Sequence, residues 1–317
     1  MPLPMTIPTD DDLITFVREL RRIGYAFVTV SPETHRRVDA RARAAGRGSA
    51  RSLRDVFGWS RPFARGLLPP RLADLAFQAG IIIEDGASLR SKVRVSTRGE
   101  DAFVHSAYPT CDEDAVFFGP DTYRYCDLIE DELRRLPRAA RAVDVGCGSG
   151  AGGLVAARFA ERVVLADINA RALALTRVNT ALARLEARTE ILESDVLAGV
   201  DGPFDLVLAN PPYMADRARR AYRHGGGELG EGLAVRIARE ALARLQPGGR
   251  LVLYTGAAIV DGRDACREAL AEVCKGANAT WSYRTIDPDV FGDEIEHNDT
   301  YTNVERIAAV ALVATTL

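Results

Sequence analysis

The stretch Val143-Asp144-Val145-Gly146-Cys147-Gly148-Ser149-Gly150 runs an apolar segment into a glycine-rich turn, and Ala151–Phe159 follows as a helix candidate. A strand that ends in such a turn and feeds a helix is the opening unit of a nucleotide-binding α/β sheet. Glycine is needed there because the backbone takes positive φ and passes close to a ligand. Working outward, short apolar runs recur at Ala142–Val145, Val163–Ala166, Glu190–Leu192, Leu206–Ala209, Leu251–Tyr254, Trp281–Ile286 and Ile307–Val313. Helical segments lie between most of them: one capped by Asn169 and running to Leu185, one over Gly232–Leu245 stopped by Pro247-Gly248-Gly249, and one over Cys266–Cys274. Strands spaced by helices predict a parallel sheet covered on both faces. The expected fold is therefore α/β, a Rossmann-like doubly wound sheet of seven strands, occupying residues 113–317.

The glycine turn alone leaves the ligand open. Gly146, Gly148 and Ala151 also satisfy the G-x-G-x-x-G/A pattern of NAD-binding proteins. Asp167, followed by Ile168, ends the next strand about 20 positions on, where a carboxylate accepts from ribose hydroxyls in either ligand. Asp144, inside the first strand, is unusual for a dinucleotide site. It is placed to hold the glycine loop, to meet a ligand's ammonium group, or simply to accept from backbone amides. In Ser194-Asp195-Val196, Asp195 is placed to accept from an adenine amino group or to form a turn.

A second motif separates the alternatives. The strand Phe204–Ala209 ends in Asn210-Pro211-Pro212-Tyr213. Two prolines fix φ and stiffen the backbone just past the carboxyl end of a strand, where open α/β sheets bind their ligands. The Asn210 side-chain oxygen and the Pro211 carbonyl can then accept both hydrogens of one NH2 group. An amide or exocyclic amine nitrogen is a poor nucleophile because its lone pair is delocalised. Two fixed acceptors orient it and stabilise the positive charge that develops on it. Tyr213 offers an aromatic face to a planar group.

Val143–Gly150, Asp167, Asp195 and Asn210–Tyr213, in this order, resemble the class I S-adenosylmethionine-dependent methyltransferases with an N-P-P-Y motif. They are similar in particular to the protein-glutamine N5-methyltransferase group that acts on release factors. The resemblance covers roughly residues 115–317. It implies S-adenosyl-L-methionine as cofactor, with Gly146, Cys147 and Gly148 against its amino-acid part and Asp144 close by. It also implies Asp167 and Ile168 at the ribose, Asp195 and Val196 at the adenine, and Asn210 to Tyr213 at the target nitrogen. A lid segment is implied at Phe117-Phe118-Gly119-Pro120-Asp121-Thr122-Tyr123, with Phe118 over the donor. That segment does not carry the R-P-E-T-E-like run of the release-factor enzymes. N-P-P-Y does not separate glutamine targets from adenine or guanine ones. The expected acceptor is a protein, such as a translation factor. A nucleic-acid amine and a small molecule remain alternatives.

The first third reads differently. Residues 1–100 carry 17 basic against 11 acidic side chains, leaving the remainder at −9 in a chain of net charge −3. A basic N-terminal part can face an acidic partner, although a solvated arginine surface explains it equally. Helical spacing after Asp10–Asp12, at Thr34–Ala45, at Ser52–Phe57 and at Arg71–Gln78 precedes strand candidates at 92–96 and 102–105. This predicts a smaller, mainly helical, winged-helix-like N-terminal domain over residues 1–112, serving substrate recognition. The run Tyr222–Gly230 reads as a glycine-rich loop over the acceptor site or a linker, and Asp287–Gly292 as an exposed loop between strands. The five cysteines form no C-x-x-C pair and no zinc-ligand spacing with the four histidines. No metal, no membrane anchor and a reduced, cytoplasmic setting are expected.

Overall fold

The computed structural model describes residues 10–134, 139–216 and 223–317. Residues 1–9 and Tyr222, which figured in the sequence reading, lie outside the described residues.

The N-terminal part starts with four helices: α1 (Asp10–Arg22), α2 (Pro32–Ala44), α3 (Leu53–Phe57) and α4 (Pro70–Gln78). Helix α1 has three aspartates in its first turn and Arg21 and Arg22 in its last, which suits the helix dipole. Helix α2 begins at Ser31, whose side chain accepts from the Thr34 amide, with Pro32 pre-set for the first turn. Two antiparallel hairpins follow, β1 (Ile82–Asp85) with β2 (Ser88–Ser91), and β3 (Val93–Arg98) with β4 (Asp101–Ser106). The sequence reading found only the second, because the exposed strand β1 lacks the alternation that marks a half-buried strand.

Next come α5 (Pro120–Leu133), β5 (Ala139–Val145), α6 (Ala151–Ala156), β6 (Ala160–Asp167), α7 (Ala170–Ala183), β7 (Thr189–Glu193), β8 (Phe204–Ala209) and α8 (Gly232–Leu242). The chain closes with β9 (Leu245–Val260), the two-residue β10 (Arg263–Asp264), α9 (Ala265–Gly276), β11 (Ala279–Asp287), α10 (Gly292–His297) and β12 (Arg306–Thr316). Seven strands make one sheet in the order β11-β12-β9-β8-β5-β6-β7, with β10 added to β9. Strands β7, β6, β5, β8 and β9 run parallel, whereas β12 is inserted antiparallel between β9 and β11. The expected α/β sheet is thus present. One boundary differs: α8 ends at Leu242, and Pro247-Gly248-Gly249 lies inside β9, where the pairing with β8 shifts register.

Both sheet faces are covered. Helices α5 and α6 pack one face through Ile129, Leu133, Leu154 and Val155. Helices α8 and α9 pack the other through Ile237, Ala241, Leu270 and Cys274. Burial on both sides is why β5 and β8 read as unbroken apolar runs. A third core joins the N-terminal helices and hairpins to Ala172, Leu175 and Val178 of α7. One polar clamp reinforces that joint. The buried Asn179 of α7 accepts from the Val104 amide (2.7 Å) and donates to the Val104 carbonyl (3.0 Å) and to the Ser149 carbonyl of the glycine turn (2.8 Å). Among the described residues, no helix is long and apolar enough to cross a membrane.

Candidate active site

In the parallel pair β5–β8, Val145 lies opposite Ala209. Gly146 and Asn210 therefore leave the sheet side by side. They do so where the strand order reverses, with β6 and β7 to one side and β9 to the other. That reversal point opens the crevice in which doubly wound sheets hold ligands. A cavity of about 390 Å³ sits there. Gly146, Cys147, Gly148, Asp167, Ile168, Asp195, Val196 and Asn210 to Tyr213 all line it. Two expected site residues, Asp144 and Phe118, lie behind its wall.

On the glycine side the carboxylates are engaged locally. Asp144, fully buried, accepts from the Tyr125 hydroxyl and from the Gly153 amide, both at 2.7 Å. Burial pushes its carboxyl up to about 7, against those two hydrogen bonds. Of its three sequence readings, acceptance from a backbone amide is the arrangement present. Asp167 accepts from the amides of Gly148 and Asn169, each at 2.8 Å, and burial raises its pKa as well. It thus ties the glycine turn to the start of α7 and still borders the cavity. Ile168 beside it is 60% exposed, an apolar side chain presented to the opening. Asp195 accepts from both terminal nitrogens of Arg236 on α8, at 2.8 and 3.0 Å. Val196 follows with φ of +53°, which is strained for a β-branched residue and turns the chain along the cavity rim.

The Asn210 corner is braced from far away. The Tyr213 ring is 7% exposed, and its hydroxyl donates to Asp121 at the start of α5. Tyr254 of β9 donates to the other Asp121 oxygen at 2.7 Å, and Arg124 pairs with the same carboxylate at 3.1 Å. Burial and the Asp121 charge hold both phenols well above the usual tyrosine range. Gly256 of β9 makes room for the ring, since a Cβ there would lie 2.0 Å from Tyr213 Cδ2. The glycine run behaves similarly. A Cβ on Gly225 would meet the Gly230 carbonyl at 1.9 Å and the Pro212 carbonyl at 2.7 Å. Hydrogen bonds between Met214 and both Arg223 and Gly225, each 3.0 Å, stitch the run to the corner. Its glycines allow close backbone approach, so over the described residues the run is a wall of the site.

Segment 117–123 divides its residues. Phe117, Asp121 and Thr122 line the cavity. Phe118 is 1% exposed and stacks on His105, with ring centroids 5.1 Å apart. Its place is in the packing between hairpin and sheet. The loop 287–292, expected to be exposed, also differs. Val290 is buried, and Phe291 lines the cavity with its ring 6.0 Å from Tyr213. From the N-terminal part, Pro32 and Tyr108 to Cys111 complete the wall. Asp121, Tyr254, Gly256 and Asn179 were not singled out from the sequence. Asp121 had one signal, an acid just after Gly119-Pro120 at a helix start. The others had none, because their partners are distant in the chain.

The fold and the arrangement of the site are those of a class I methyltransferase domain. Over residues 127–274 the chain matches the family described as the methyltransferase small domain. A release factor glutamine methyltransferase of Deinococcus radiodurans is 40% identical over 156 residues, covering 45% of this chain and 55% of that protein. A ribosomal RNA small subunit methyltransferase C of Chromohalobacter salexigens is 40% identical over 121 residues, covering 38% of this chain and 33% of that one. The chain spans about half the length of the curated relatives it first matches. The solved structure of M. jannaschii TYW2 in complex with AdoMet is alike in fold, with a TM-score of 0.50 at 12% identity over 74% of this chain and 88% of that chain.

Proposed function

We propose that the protein is an S-adenosylmethionine-dependent N-methyltransferase acting on a planar amide or amino nitrogen, foremost a glutamine side chain of a protein such as a translation factor. One observation carries this reading. Asn210 and the glycine turn leave neighbouring strands side by side and line one cavity.

The residues fit the donor. Gly146 and Gly148, at φ of +68° and +57°, put no side chain into the cavity. Ile168 offers exposed apolar surface to a purine ring, and Asp167 borders the cavity with lone pairs for ribose hydroxyls. When bound, S-adenosylmethionine supplies a methyl group activated by a sulfonium. The chain's own task is to hold the acceptor. Asn210 Oδ1 and the Pro211 carbonyl accept the two N–H bonds of the target NH2 and fix the direction of its lone pair. As that nitrogen gains its new bond, the two oxygens stabilise the growing positive charge, and the surplus proton then passes to solvent. Pro211 and Pro212 keep the acceptors in place at no cost in reorganisation.

A second reading, a nucleic-acid exocyclic amine, draws on the exposed Arg41, Arg43, Arg47 and Arg51 at the end of α2 and just beyond it. Phosphate contacts from such residues give binding that weakens steeply with salt. Incubation of the purified protein with methyl-labelled donor and a bacterial extract separates the readings. Label on protein glutamine is the expected result. Label on RNA or DNA selects the second reading. Absence of label from every fraction, with the donor bound, overturns both.

A further inference from the structure

The hairpin β3–β4 carries a buried cation that the proposed reaction does not use. Arg94, opposite His105 in the hairpin register, is 2% exposed. Among the described residues its one hydrogen bond runs from Nε to the Ser106 carbonyl at 3.3 Å, and no carboxylate pairs with it. The groups that feel its charge most are the phenols of Tyr25, Tyr108 and Tyr123. Burial raises all three, so they face the guanidinium as neutral hydroxyls. The two imidazoles nearby are neutral as well. Burial and Arg94 together pull His35 down to about 4 and His105 well below its usual value. Burial lowers Arg94 itself only to about 10, which leaves it charged at neutral pH.

An isolated buried charge is costly, and proteins retain one where a counter-charge arrives from outside the chain. The cavity borders this cluster. Tyr108 lines it and stacks on His35 with ring centroids 3.9 Å apart, and Pro32 lines it from the start of α2. We propose that Arg94, with Tyr108 beside it, is an oxyanion subsite at the N-terminal wall of the cavity, taking a carboxylate or phosphate group of a molecule bound there. The guanidinium fork presents its terminal N–H groups to two oxygens at once, the geometry carboxylates and phosphates share. Two sources supply such a group, the methionine carboxylate of the donor and an acidic group on the acceptor. The inference deepens the methyltransferase reading by giving one of its ligands an anionic handle.

Thermal unfolding with inorganic phosphate as the probe, at constant ionic strength, tests it. Phosphate should raise the midpoint of the wild type. Arg94→Met should melt higher than the wild type without phosphate, because it removes an uncompensated buried charge, and should no longer respond to the ion. A lower midpoint in Arg94→Met with an unchanged phosphate response makes the residue structural and overturns the subsite. Should Arg94→Met not fold, Arg94→Lys carries the test, with a phosphate response reduced several-fold expected and an equal response fatal. Calorimetry with S-adenosylmethionine and with methylthioadenosine, which lacks the amino-acid part, separates the sources. A roughly tenfold loss confined to S-adenosylmethionine in Arg94→Met assigns the donor carboxylate. Unchanged affinity for both, with the phosphate response lost, assigns the acceptor. If neither donor affinity nor the phosphate response depends on Arg94, the proposal falls. A wild type that binds no donor at all contradicts the methyltransferase reading instead.

Discussion

At the end of β5 the chain holds itself. Asp144 and Asp167 accept from amides 2 to 19 positions away, and the glycine turn is complete within the unit β5–α6–β6–α7. At the end of β8 the chain is held by others. Tyr213 is fixed by Asp121, 92 positions earlier, by the space over Gly256, and by backbone contacts to the run 223–230. The two ends sit side by side, yet one is local and the other is assembled only when the domain closes. The difference suggests a division of labour. The local end forms a donor site early and cheaply, whereas the assembled end positions an acceptor and is sensitive to changes anywhere in its distant supports.

The sharpest way to break this comparison is Asn210→Ala. It removes one of the two acceptors proposed for the target nitrogen, and turnover should fall about 10²–10³-fold. Donor affinity, set mainly by the glycine side, should stay within a few-fold. Single-turnover rates with labelled donor and calorimetry measure the two halves separately. Equal loss in both would mean the two ends are one unit.

Asp167→Ala is the mirror experiment. It removes the proposed ribose acceptor and leaves the Gly148 and Asn169 amides without their partner. Leaving buried donors unsatisfied costs about 1–3 kcal/mol. Donor binding should weaken roughly 10- to 100-fold, while the rate at saturating donor changes much less. An unchanged dissociation constant would remove Asp167 from the donor site.

Gly256→Ala probes the remote support alone. The new Cβ would stand 2.0 Å from the Tyr213 ring, so the ring must move. Overpacking of this kind costs about 1–3 kcal/mol of stability. The rate should drop by about an order of magnitude through misplacement of the corner, with donor affinity kept. If turnover is retained in a folded variant, the corner does not depend on the position of Tyr213.

The same contrast explains what the sequence could tell. The glycine turn, Asp167 and Asn210–Tyr213 were legible because each is a short motif whose meaning lies in its neighbours along the chain. The sheet was legible because strands buried on both faces are unbroken apolar runs. Asp121, Tyr254 and Gly256 act on one ring from three separate elements, and Asn179 looks like an ordinary polar residue of α7. Nothing local distinguishes such residues. Phe118 and Phe117 show the limit most directly. Adjacent aromatic residues in a segment expected to cover the donor divide, and only the contacts with His105 and Phe103 decide which one is packed inside.

The local end carries one more consequence, smaller in size and set by pH. Asp144 has its carboxyl raised to about 7 in the folded protein, against about 4 for an unfolded chain. A raised acid binds its proton more tightly in the folded state than in the unfolded one. Its contribution to stability is therefore fully present below about pH 4 and is lost as pH rises towards 7. Unfolding by denaturant across that window should show stability falling with pH by on the order of a few kcal/mol, superimposed on the opposite trends of the ion-paired surface carboxylates. Asp144→Asn keeps the size and an acceptor for the Gly153 amide but cannot ionise. It should flatten that component and leave the Asn210 corner unaffected. If wild type and Asp144→Asn lose stability in parallel across the window, the Tyr125 and Gly153 hydrogen bonds, and not burial, govern the carboxylate, and the glycine side is more polar than its packing implies.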